Sequence, residues 1–362
     1  MQEKRTENYL ISDNEKKYIQ VIKIILCVLV VFVHSFRDDS LINIQTFSFN
    51  SSSIIYFIKD FVSHVICNCA VPGFFLISSV LLYKKNFKWN ENIKKKIKSL
   101  LIPYILLNTF WILFYIVFQS IPQFSKYFST ESTIIANWNL TDWINAYLGI
   151  EGYPLLYPLW FIKNLFILNL ISPIIKKVCN KIPITFLTII ILAFIWNLKI
   201  PFSILSTGSL LYFTIGYLIV NNNIHIDDLN KINTNIMVFL YPFLCVLYYI
   251  VSNTIISRML LLVIDIISLI IIFKTILKIK GNLLSKLILI APYSFAIYLF
   301  HEFSLTIFVK VCTIVIPQNN IINLIEYFTL PFFTIIYCII LSIILKKFLP
   351  KLYCVLTGDR RL

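Results

Sequence analysis

Ten predominantly apolar stretches divide this chain, most of them close to the roughly 20 residues a helix needs to cross a bilayer. They run over 19–36, 62–83, 100–119, 156–175, 183–198, 203–221, 235–251, 258–278, 293–316 and 327–348. Backbone exposed to lipid must satisfy its own N–H and C=O groups, so stretches of this length are expected to be helices. The expected fold is therefore all-α, a polytopic membrane protein of about ten transmembrane helices. With 59% hydrophobic and 14% charged residues, the chain has too little polar surface for a soluble globule, where about 25% of residues are charged.

Orientation follows from the positive charges. With the N-terminus inside, inner segments hold 4 Lys+Arg in 1–18, 7 in 84–99, 3 in 176–182, 1 in 222–234, 4 from Lys274 to Lys286 and 5 in 346–362. The outer loops hold only Arg37, Lys59, Lys126, Lys199 and Arg258. That asymmetry predicts cytoplasmic termini. Residues 1–18 then form a cytoplasmic leader, 19–348 a single transmembrane domain and 349–362 a cytoplasmic tail. The net charge of +15, which in a soluble protein would point to nucleic acid, is read here as topology, with no nucleic-acid partner. The polar leader and the absence of a small-residue cleavage site after Ser35 argue against a cleaved signal peptide. The eight cysteines form no CxxC pair and no histidine stands at zinc-ligand spacing, so neither a disulfide framework nor a metal cage is expected. In the largest loop, about 120–155, Trp138, Trp143, Tyr147 and Tyr153 read most simply as an interfacial belt, with stacking on sugar rings as the alternative.

Charged side chains within spans are costly, about 2.5–3.5 kcal/mol each on insertion scales, and are functional candidates by default. Lys23 and His34 lie eleven residues apart on the first span, which places them within about 20° on one helix face and about 16.5 Å apart along it. Alternatively Lys23 snorkels to headgroups and His34 caps the helix end. Lys94, Lys95, Lys96 and Lys98 precede the third span, with Pro103 just inside it. They read either as a positive-inside stop or as a dock for a phosphate-bearing ligand at a helix start. Lys163, near the outer end of the fourth span, either snorkels outward or joins Asn164 and Asn169 in a buried polar group. His301 and Glu302 are adjacent in the ninth span; about 100° separates neighbours on a helix, so the two are expected not to face one ligand. His301 reads as a packing hydrogen-bonder or a proton carrier. Asp265 is a lone acid without a visible partner, and His64 and His225 carry little information.

Taken in order, these segments resemble the acyltransferase-3 family of integral-membrane acyltransferases. Lys23 and His34 resemble its basic-residue, ten-spacer, His signature; NCAVPGFFLISSVLL over 68–82 resembles VPxFFxxSGxLL; 95–104 resembles the basic KRxxRxxxPY block. LWFIKNL over 159–165 is similar to LWFxRDL, YSFAIYLFH over 293–301 to YSFGIYLxH, and the terminal TGDRR to the TGxR ending of some members. Departures are Gln20 for an acidic residue, Lys for Arg at 23 and 163, Asn164 for Asp, Ser79 for Gly and Ser99 for a basic residue. Lys keeps the charge of Arg and loses its bidentate fork.

The resemblance implies transfer of an acyl group, commonly acetyl from acetyl-CoA, to a sugar hydroxyl outside the cytoplasm, in the plasma membrane. Acyl-CoA is then a donor substrate with no permanently bound cofactor. The other partners are a glycan or lipid-linked sugar and the bilayer; nothing in the sequence specifies an oligomeric state. The expected catalytic residues are His34 as general base and Lys163 near it, holding the transferring group. Lys23, Lys96 and Lys98 would meet the CoA phosphates, and His301, Glu302, Trp160 and Asn164 are secondary candidates. The alternatives are a transporter or flippase for a lipid-linked sugar, against which no repeated half or matching pair of broken helices is found, and a non-catalytic subunit of a polysaccharide synthase, which leaves the Lys23/His34 stripe unexplained.

Overall fold

A computed structural model of the protein describes residues 12–36, 51–84, 88–123, 125, 134–150, 152–198, 205–252 and 254–358. The first eleven leader residues, the expected outer-loop cations Arg37, Lys126 and Lys199, and residues 359–362, which include the DRR of the TGDRR ending, lie outside the described residues.

The described residues are helical, with no strand among them. Six continuous helical stretches are long and apolar enough to cross a membrane: Asp13–Ser35, Ser51–Tyr83, Trp89–Ser120, Ile255–Leu277, Gly281–Val315 and Asn320–Phe348. Tyr157–Leu170 with Ser172–Lys181, bent by 60°, makes a seventh if counted as one span. The protein is a multi-pass membrane protein. Helices also stand at the other three expected spans, but Pro183–Ile195, Thr207–Asn221 and Asn235–Ile250 have only 13, 15 and 16 residues. At 1.5 Å per residue they measure about 20–24 Å, short of a ~30 Å hydrocarbon core. Among the described residues, six or seven of the ten expected spans are thus helices of membrane-crossing length, and the other three are shorter apolar helices.

In chain order we label α1 (Asp13–Ser35), α2 (Ser51–Asp60), α3 (Ala70–Tyr83), α4 (Trp89–Lys96), α5 (Ile102–Ser120), α6 (Leu140–Leu148), α7 (Trp160–Leu170), α8 (Ser172–Lys181), α9 (Pro183–Ile195), α10 (Thr207–Asn221), α11 (Asn235–Ile250), α12 (Ile255–Leu277), α13 (Gly281–Ile290), α14 (Ser294–Val315), α15 (Asn320–Phe348) and α16 (Pro350–Leu356). π-helical turns interrupt the second and third stretches at Phe61–Ile66 and Ile97–Leu101.

α1 is the central element, packed by α3, α12, α13, α14 and α15. It is apolar on nearly all sides, as a helix buried on all sides must be, and Val21, Ile22, Leu26 and Val31 are fully buried. Its start is fixed by a capping box in which the Glu15 N–H donates to Ser12 Oγ (3.1 Å) and the Ser12 N–H to Glu15 Oε2 (3.0 Å). Glu15 also meets Lys84 at 3.6 Å and His225 at 3.5 Å, tying α1 to the end of α3 and to the turn at 226–231. Burial pushes the Lys84 amine below its ordinary pKa against the pull of Glu15, and burial likewise lowers His225 against Asp228 and Asp227.

Close helix approach needs small residues at two points. A Cβ on Gly73 would meet Leu269 and Leu26 side chains at 2.8 and 2.9 Å, and one on Gly216 would meet the Leu76 carbonyl oxygen at 2.5 Å. Gly216 thereby lets α10 lie directly on α3. The core beside this contact, Phe75, Leu159, Ile162, Leu211 and Phe213, supports α7 against α3.

Two residues read as uninformative have partners. Asp265 accepts from both hydrogens of the Asn68 amide (2.9 and 3.0 Å) and from the Tyr212 hydroxyl (3.1 Å). His64 Nδ1 lies 2.7 Å from Asp60 Oδ1, whose second oxygen accepts from Tyr249 at 2.7 Å. Asp265's partners come from distant segments and are invisible locally, whereas Asp60 and His64 stand four residues apart, the ordinary spacing of neighbours on a helix.

Candidate active site

The residues singled out on α1 belong to two connected features. At the Lys23 end a cavity of about 720 Å³ opens between α1, α3, α4, α7 and the start of α14. Its volume is within the ~300–1,000 Å³ range of small-molecule sites. Lys23, Lys88, Lys95 and Lys96 line it with Glu91 as the acidic member, a formal excess of three positive charges. The remaining wall is largely apolar, with Phe74, Phe161 and Tyr298. A phosphate-rich head with a slender, mostly apolar arm matches this gradient.

Lys98 is not among the lining residues, although Lys95, Lys96 and Ser99 are. The lining residues Lys88, Glu91, Asn92, Lys95, Lys96 and Ser99 recur at α-helical i, i+3 and i+4 spacing, and Lys98, two residues from Lys96 and so about 200° round the helix from it, falls off that face. Sequence reasoning missed Lys88 and did not single out Lys95 within the run: four basic residues in five positions give no periodicity from which to choose.

Tyr298, which lines the cavity, leads to the second feature. Its hydroxyl donates to the Pro158 carbonyl, and its backbone carbonyl lies 2.8 Å from His301 Nδ1. A carbonyl can only accept, so neutral His301 carries its proton on Nδ1 and directs a lone pair from Nε2. The His301 ring centroid is 5.1 Å from that of His34. His34 Nδ1 lies 3.4 Å from Glu302 Oε2, and the Tyr157 ring sits 5.6 Å away edge-on. His301 is fully buried, whereas the His34 and Glu302 side chains are 16% and 28% exposed.

The expectation that His301 and Glu302 cannot face one partner is therefore overturned. Both approach His34, and one ligand atom from each of the three lies within 4.8 Å of the others. Backbone directions about 100° apart do not preclude this, since the long Glu302 side chain reaches around a target only a few ångströms from the helix. Glu302 beside an imidazole nitrogen orients the ring and stabilises its protonated form, leaving the other nitrogen to accept a proton.

Lys163 is buried, and its ammonium donates to the Leu148 carbonyl at 2.7 Å and the Gly149 carbonyl at 3.4 Å. It closes the C-terminus of α6, where the helix dipole favours a cation and Gly149 takes the left-handed turn at φ 56°. The loop that follows brings Tyr153 to within 4.5 Å of Tyr157, so Lys163 reaches the His34 site through the chain it fastens. Asn164 donates to Ser209 Oγ at 3.4 Å, joining α7 to α10, and Trp160 packs beside Phe75 and Tyr153. The structure thus gathers Lys23 with Lys96, and His34 with His301 and Glu302, while Lys163, Asn164 and Trp160 hold the surrounding frame.

A family model described as an acyltransferase domain, Acyl_transf_3, matches residues 16–346, a stretch that takes in both features. The chain belongs to the acyltransferase-3 family. The chain is also similar to the succinoglycan biosynthesis protein ExoH of Rhizobium meliloti (strain 1021), at 23% identity over 224 residues. That match covers 60% of this chain and spans 57% of the relative's length. No solved structure matches the chain.

Proposed function

We propose that this acyltransferase moves an acyl group, acetyl in the simplest case, from acyl-CoA to a hydroxyl of a cell-envelope glycan or lipid-linked sugar at the plasma membrane. The observation that carries this reading is one cavity lined by four lysines and by Tyr298, whose carbonyl meets His301 of the His34–His301–Glu302 group. The relative named for succinoglycan biosynthesis supports a glycan acceptor.

The CoA phosphates rest among Lys23, Lys95 and Lys96, and the pantetheine arm runs beside Phe74, Phe161 and Tyr298 toward His34. The span of about 16.5 Å along α1 from Lys23 to His34 suits such an arm. An alcohol is a poor nucleophile near neutral pH. Neutral His34 takes the hydroxyl proton as the oxygen attacks the thioester carbonyl, forming the new C–O bond. Collapse of the tetrahedral intermediate breaks the C–S bond, and the proton held on His34 passes to the departing sulfur. The products are an ester and free CoA, with no net change in protons or electrons. Glu302 stabilises the imidazolium between the two proton transfers. A sidedness with Lys23 cytoplasmic and His34 near the outer face supplies the donor from inside and the acceptor from outside.

The test is incubation of purified protein in nanodiscs with acetyl-CoA and glycan acceptors, with free CoA and ester both measured. CoA release coupled to ester formation is expected. Movement of a lipid-linked sugar without CoA release would favour the transporter reading.

A further inference from the structure

His34, His301 and Glu302 supply two imidazoles and a carboxylate, a donor set that suits zinc in sites that keep one position open. Four observations make the group more than a neighbourly cluster. Its ligand atoms, drawn from α1 and α14, lie within 4.8 Å of one another. His34 Nδ1 and Glu302 Oε2 are 3.4 Å apart, close to the roughly 3.3 Å separating two ligands held at ~2.0–2.1 Å and the tetrahedral angle on one zinc ion. His301 Nδ1 is fixed on the Tyr298 carbonyl, the outer-shell bond that orients a ligating histidine. Its Nε2 is fully buried and has no hydrogen-bond partner among the described residues, so a buried lone pair points into the group. Tetrahedral coordination would need the ligand atoms, now within 4.8 Å of one another, to draw together by at most about 1.5 Å.

We propose that this triad is an inhibitory site for a divalent transition-metal ion of the zinc class. Binding at His34 Nδ1 leaves the proton of the neutral imidazole on Nε2, the nitrogen required as base, so metal occupancy and proton abstraction exclude each other. Mg²⁺ and Ca²⁺ prefer six or more oxygen ligands and do not compete. The inhibitory role rests on the assignment of His34 as base; the metal site itself does not.

The experiment uses the full chain without a histidine tag, in nanodiscs and stripped with chelator, titrated with Co²⁺ and read by the visible d–d bands of tetrahedral cobalt, then displaced with Zn²⁺. One Co²⁺ per chain is expected, with affinity falling by about tenfold or more in His301→Gln and in Glu302→Gln. His64→Gln, at a separate histidine–carboxylate pair, should leave binding unchanged. Stripped protein should transfer acetyl, stoichiometric Zn²⁺ should suppress transfer at least tenfold, and chelator should restore it. Absence of the bands, or equal binding by the triad variants, would overturn the site. Transfer that disappears with chelator and returns with Zn²⁺ would overturn the inhibitory role. Triad-dependent cobalt binding in a protein that transfers no acyl group would uphold the metal site and instead refute the proposed reaction.

Discussion

Replacing Glu302 by Gln removes one negative charge beside His34 while nearly preserving shape. At 3.4 Å between His34 Nδ1 and Glu302 Oε2, the attraction for an imidazolium is about 1.2 kcal/mol at the dielectric of water and about 5 kcal/mol at an effective dielectric of 20. The side chains are 16% and 28% exposed, which puts the site between these limits. At 1.36 kcal/mol per tenfold the range corresponds to roughly 10-fold to several thousand-fold in kcat, and about 100-fold is expected. The charge appears on His34 only as the hydroxyl proton moves, so the loss is confined to the transition state and the KM for acyl-CoA should change little. Steady-state kinetics on purified protein in nanodiscs, with thermal unfolding as a control, measures both. A variant with kcat within twofold of the parent and unchanged stability would refute the coupling. A raised KM with unchanged kcat would instead place Glu302 in donor binding.

The other predictions test separate parts of the site. Lys23→Gln and Lys96→Gln should raise the KM for acyl-CoA and weaken its salt dependence, whereas Lys98→Gln, off the cavity wall, should do neither; equal effects at all three, measured by donor titration at two ionic strengths, would contradict the cavity assignment. Lys163→Met should lower both Tm and kcat by releasing α6 and the loop to Tyr157, and Lys163→Arg should restore both; a Met variant with normal turnover and Tm would remove this role. Gly216→Ala should destabilise by about 1–3 kcal/mol through overpacking of α10 on α3, read from denaturation in detergent.

What was legible in the sequence was whatever depends on local spacing. The apolar runs located helices at every expected span, and the eleven-residue step from Lys23 to His34 put a cation and an imidazole on one stripe of α1. Two of the three shorter helices, α9 and α11, stand in apolar runs of only 16 and 17 residues, 183–198 and 235–251. The pairing of His34 with Glu302 joins α1 to α14 and depends on how two distant helices pack, which no spacing rule encodes. Lys98 was named with Lys96 because both stand in one basic run, yet two residues is about 200° of helix, and the cavity wall takes Lys95, Lys96 and Ser99 instead. Lys163 was correctly singled out as a cation without a cheap location, yet its carbonyl partners at the end of α6 lie in a loop whose return path the sequence does not specify.

The central claim is that His34 abstracts the acceptor proton while acyl-CoA is held elsewhere. Its most direct test is a single-turnover measurement with His34→Ala at saturating acetyl-CoA, with donor binding determined separately on the same preparation. The account predicts acetyl transfer slowed by about 10²–10⁴-fold with donor affinity largely retained. Near-normal transfer by a folded His34→Ala protein would contradict it.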